Sequence, residues 1–139
     1  MNYDRLFEES YARVIGEGVG IGDQGRVFFS RFYSIFFSKS QQIRDKFAHV
    51  DIDAQVVVLQ KSMFHMISFY ATRTATEYLE NIADCHNRDR YGIKPEFYDI
   101  WLDSLIETVA QLDPEYEDNL ALAWRLAMTP GIQFMKFQY

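Results

Sequence analysis

The sequence predicts an all-α fold. Three observations point to it: apolar residues recur at i, i+3 and i+4 along most of the chain, period-two alternation is nearly absent, and prolines open two of the periodic segments. The chain has 139 residues, of which 48% are hydrophobic and 17% aromatic. We read this as one domain, residues 1–139, with enough rings in its core to pack something bulky and flat.

Each element has its own signal. Leu6, Phe7, Tyr11, Val14 and Ile15 make a first amphipathic helix that ends in the cluster Gly16, Gly18, Gly20, Gly22 and Gly25. No Lys-Ser/Thr follows these glycines and no strand precedes them, so they read as a mobile loop rather than a phosphate cradle. A second helix, roughly Asp23 to Lys39, carries Val27, Phe28, Phe29, Phe32, Tyr33, Ile35, Phe36 and Phe37 and is apolar on most sides, hence deeply packed. A helical turn from Gln41 leads to Phe47, and Ala48 to Ile52 form a corner. Asp53 is the expected cap of a helix running to about Thr72.

A segment from about Thr76 to Arg90 follows. Then Pro95 starts a helix with the long stripe Tyr98, Trp101, Leu102, Leu105, Ile106, Val109 and Leu112. Asp113 and Pro114 are expected to cap and open the last helix, with Leu120, Ala123, Trp124, Ala127 and Met128 inward; Pro130 inside it predicts a kink or break.

One residue carries chemistry. Leu79, Ile82, Ala83 and His86 fall at i, i+3, i+4 and i+7, so the His86 imidazole goes inward with the stripe. Neutral imidazole is the commonest protein ligand for a transition metal, and a single inward His leaves the other ligands to a cofactor, for which haem iron is the best fit. The stripe by itself equally describes a core histidine bonded to a carbonyl. His49 falls in the corner, and His65 is turned about 200° from Met63 and about 240° from Leu59, which aims it outward.

Composition removes other classes. The net charge of −6 argues against a nucleic-acid partner. The single Cys85 permits no internal disulfide, suits a reducing compartment and is either a small buried filler beside His86, the preferred reading, or an exposed thiol one step around the helix; the C-x-x-C-H pattern of covalent haem attachment is absent. Asp4, Arg5, Glu8 and Glu9 break up the N-terminus, no apolar run approaches a membrane span, and a cytoplasmic protein is expected.

Together these residues resemble the globin family, in particular bacterial single-domain globins and the globin domain of flavohaemoglobins. The resemblance rests on Phe32-Tyr33 followed fourteen residues later by Phe47, then His86, then Ile93-Lys94-Pro95-Glu96-Phe97-Tyr98, and finally Ala123-Trp124. It implies a three-on-three helical sandwich around a pocket for haem b. His86 matches the axial ligand, Tyr33 the tyrosine of the distal pocket, Phe47 the phenylalanine packed on the haem ring, and Tyr98 a tyrosine beside the axial histidine.

Two departures leave choices open. Gln60 lies about 40° from Val56 and about 20° from Ile67 and is the first choice for a polar distal gate. Anchoring on Tyr70-Ala71 instead puts Leu59 at the gate and Met63 above the iron. On the proximal side, the position comparable to the flavohaemoglobin acid is Tyr139, and no carboxylate follows Asp118. A bond from the His86 ring to a carbonyl near Ile82 is then expected.

The resemblance implies reversible binding of O₂, with NO and CO as further ligands, for transport or storage, in a monomer or homodimer. NO dioxygenation would need an external reductase, since the chain lacks a dinucleotide fingerprint, and gas sensing would need a signalling partner.

Overall fold

A computed structural model describes residues 1–17 and 22–139 of the chain. Gly18 and Gly20 of the expected loop therefore lie outside the described residues. The described residues form seven helices: α1 (Tyr3–Val14), α2 (Asp23–Ser38), α3 (Gln41–Lys46), α4 (Ile52–Thr72), α5 (Glu77–His86), α6 (Pro95–Leu112) and α7 (Asp118–Phe137). Among the described residues there is no strand, as the sequence predicted. None of their helices is long and apolar enough to cross a membrane.

Side chains satisfy the first free N–H groups of several helices. Asn2 accepts from Arg5 N at 3.1 Å, Ser40 from Ile43 N at 3.4 Å and Thr76 from Leu79 N at 3.1 Å. The cap of α4 is Asp51, which accepts from Asp53 N, not the expected Asp53; the latter sits in the first turn, where its charge favours the helix dipole. α5 stops at His86 instead of continuing to Arg90, and the Asn87 N–H turns back to the Asp84 carbonyl.

The principal packings are α1 on α7, α2 on α6, α4 on α7 and α6 on α7. Trp124 of α7 is fully buried at the centre of one end. The Phe7 ring meets it edge-on at 4.9 Å, and Phe28 and Tyr11 stack on it at 6.1 Å. Of the kink or break expected at Pro130 there is no break: α7 runs on through it, with Ala127 and Met128 before it and Gly131, Ile132 and Met135 after it all buried in one core. Gly131 permits a close approach of two helices: a Cβ there would lie 3.0 Å from Met66 Cε and 3.2 Å from Met66 Cβ of α4.

Asp113 corrects the expected start of the last helix, which begins at Asp118 after Glu117. Its carboxylate is claimed from elsewhere. Arg13 donates to both oxygens at 2.9 and 3.0 Å, Ser10 Oγ donates at 2.6 Å, and Glu115 N–H donates at 2.9 Å. Trp124 Nε1 in turn donates to Ser10 Oγ at 2.9 Å, which joins α1, the α6–α7 turn and α7 in one buried network. Among the described residues, no buried side-chain polar atom lacks a partner.

Burial alone pushes the Asp113 carboxyl up, but the Arg13 guanidinium, the Ser10 hydroxyl and the Glu115 N–H outweigh it and bring it below its usual value. A depressed carboxyl stabilises the fold above its unfolded value, and this contribution is lost as pH falls through the folded one. Replacing Asp113 with Asn leaves Arg13 without its charge partner and should cost about 3 kcal/mol at pH 7. Urea unfolding across pH 3 to 7 checks this: wild-type stability should fall on the acid side, and the Asn variant should start lower and vary less.

Candidate functional site

The helices leave an apolar cleft between α2, α3 and α4 on one side and α5, α6 and the end of α7 on the other, enclosing about 1040 Å³ of empty space, its mouth included. α2 supplies its wall because one aromatic run faces two ways. Phe28, Phe29 and Phe32 are completely buried, while Tyr33 and Phe36 line the cleft. Phe47 closes the end of α3, its ring centroid 5.9 Å from that of Tyr33 and 5.2 Å from that of Phe37.

His86 is the last residue of α5 and lines the cleft. Its Nδ1 lies 3.2 Å from the Tyr98 hydroxyl on α6, and its carbonyl accepts from Ile93 N at 3.0 Å. Burial pushes the imidazole down to about 4. The ring is therefore neutral at pH 7 and keeps a nitrogen lone pair for a metal. Burial pushes the Tyr98 phenol up, so His86 faces a neutral hydroxyl and not a phenolate. The Tyr98 bond replaces the expected one to a carbonyl near Ile82, because the ring at the C-terminal end of α5 lies within reach of the first turns of α6.

On the α4 side the polar groups are few. Burial pushes the Tyr33 phenol well up, and the nearby Gln55 side chain opposes this in part. Tyr33 therefore keeps its proton at pH 7. Ser62 Oγ, further along α4, donates to the Val58 carbonyl at 2.9 Å.

No family model matches the chain, and no curated protein matches it. A solved structure does. It is a crystal structure of a Pseudomonas aeruginosa PAO1 protein described as structurally highly homologous to a human hemoglobin, and it matches 99% of this chain and 98% of its own length, with 31% identity and a TM-score of 0.86. This chain is a globin.

In this globin, Tyr33, Phe47, Leu59, His86 and Tyr98 all line the cleft. Gln60 and Met63 do not. The stripe of α4 that faces the cleft is Gln55, Val58, Leu59, Ser62 and Met66, and Gln60 lies about 100° around the helix from Leu59, on the side of Val56 and Met63. Met63 is completely buried in the core. His49 is exposed, and His65 is part-buried against the start of α5 and does not line the cleft, stacked on Tyr78 at 4.4 Å with Nδ1 2.9 Å from Thr76 Oγ1. Cys85 is only partly buried, so it does not fill the core as expected.

Gln55 is the residue that sequence reasoning missed. Its signal was a second stripe, polar at positions 55 and 62 and apolar at 59 and 66, beside the fully apolar one. Among the described residues no group of three or more His, Cys, Asp or Glu is placed to hold a metal. A metal in this cleft would have His86 as its protein ligand.

Proposed function

We propose that this globin binds haem b in the cleft through His86 and takes up O₂ and other diatomic gases reversibly. The observation that carries the proposal is the convergence of a neutral imidazole from α5 and a protonated Tyr33–Gln55 pair from α2 and α4 on one apolar cavity. The described likeness of the Pseudomonas protein to a hemoglobin supports the same reading. Bound there, haem would supply an iron with a coordination position open to a gas.

The chain's own residues divide the work. His86 would ligate through Nε2, which requires the ring proton on Nδ1, donated to the Tyr98 hydroxyl. Phe36, Phe47, Phe97 and Trp101 would pack a flat macrocycle and keep water out. The Tyr33 hydroxyl stays protonated and would donate to a gas that carries partial negative charge, with the Gln55 amide beside it to steer that hydroxyl. Because a phenol is a weak acceptor, His86 stays a neutral ligand; Asp99, next to Tyr98, is engaged by Lys136 Nζ at 2.7 Å. That favours binding over oxygen activation.

Replacing His86 with Ala should abolish haem retention or transform the visible spectrum, and replacing His49 or His65 should leave it nearly unchanged. Wild-type bands in His86→Ala without added imidazole would place the ligand elsewhere.

Tyr33→Phe should speed O₂ dissociation at least about tenfold, the equivalent of losing one hydrogen bond to a partly charged group. Gln55→Leu should speed it less, and the double variant should fall short of the product of the two, since both act through one hydroxyl. Stopped-flow displacement of O₂ by CO measures all three, and unchanged rates throughout would remove the pair from gas binding.

A further inference from the structure

The helix that carries His86 is weakly rooted. Over its ten residues, α5 buries only Leu79 and Ala83 fully, whereas α6 and α7 each bury eight residues. His86 stands at its last position, where helices fray. Tyr98 bonds the ring itself, and the backbone that carries it must be held from outside α5 as well.

The loop that follows, residues 87 to 94, is tied to the end of α7. Arg88 N–H donates to the Tyr139 carbonyl at 3.3 Å, Arg88 Nε donates to the same oxygen at 3.2 Å, and the guanidinium lies 4.9 Å from the centre of the Tyr139 ring. Three contacts thus converge on one residue, two of them through a planar fork that suits paired donation and stacking together. Within the loop, Gly92 N donates to the Asn87 carbonyl at 2.9 Å and Ile93 N to the His86 carbonyl at 3.0 Å. A displacement of Arg88 passes through two peptide bonds to His86.

We propose that Arg88 and Tyr139 form a clamp that positions His86, with α7 as its fixed anchor. α7 is suited to that part because its packed face runs from Leu120 to Met135. The inference rests on His86 being the ligand of the proposed haem. It assigns Arg88 and Tyr139 as positioning residues that touch neither the cleft nor its occupant.

The test uses the protein as purified and its haem-loaded form. Arg88→Ala removes the Nε bond and the stacking while keeping the backbone bond. Amide exchange at Gly92 and Ile93 should quicken about fivefold with exchange in α2 unchanged, and haem transfer to apomyoglobin should quicken with it. Tyr139→Phe keeps the carbonyl and the ring and should behave as wild type in both measurements, whereas Tyr139→Ala should follow Arg88→Ala in part. Unchanged exchange in Arg88→Ala overturns the clamp, and faster exchange with unchanged haem release overturns its hold on His86. A wild-type protein that takes up no haem while exchange still responds overturns the cofactor reading and leaves the clamp standing.

Discussion

Asp113 keeps a negative charge on a side chain with no exposed surface, at the point where α1, the α6–α7 turn and α7 meet. Such a charge is tolerable only while every partner stays in place, so its bonds to Arg13, Ser10 and Glu115 fix the relative positions of segments 100 residues apart. Trp124, joined to Ser10 and ringed by Phe7, Tyr11 and Phe28, turns that junction into the rigid end of the molecule. The other end can then remain hollow. A cleft lined by apolar rings would tend to collapse in a bundle held by side-chain packing alone, and here its walls are held from outside the cleft.

α2 and α4 pass from the solid end to the hollow one, and both are buried on more than one face for that reason. Phe28, Phe29 and Phe32 serve the core while Tyr33 and Phe36 serve the cleft; Val56 and Met63 serve the core while Leu59 and Met66 serve the cleft. Gly131 extends the same logic to α7, where the absence of a side chain lets Met66 sit against the helix backbone.

This double burial decides what could be read from the sequence. Fold class and helix order were legible because period 3.6 is a local property, and they were borne out. His86 was legible because α5 has one apolar stripe with a single polar residue at its end. Gln55 was not, since a helix with two inward stripes offers no single face to count from, and the nearest glutamine on the fully apolar stripe was Gln60. The Asp113–Pro114 pair has the local form of a helix start, yet Arg13 and Ser10 of α1 claim its carboxylate. The Arg88–Tyr139 tie, 51 residues apart, left no periodic trace either.

The cleft holds a neutral imidazole with Tyr98 as the hydrogen-bond partner of its ring, ready for a metal. Burial keeps the ring neutral and Tyr98 accepts only weakly from it, so nothing on the proximal side draws its proton away. Resonance Raman of the ferrous, ligand-free haem complex reports this through the stretching band between iron and histidine. A neutral His86 ligand gives a band at the low frequency of ordinary oxygen carriers. Absence of the band, or a high frequency typical of an imidazole that has given up its proton to an acid, would contradict it.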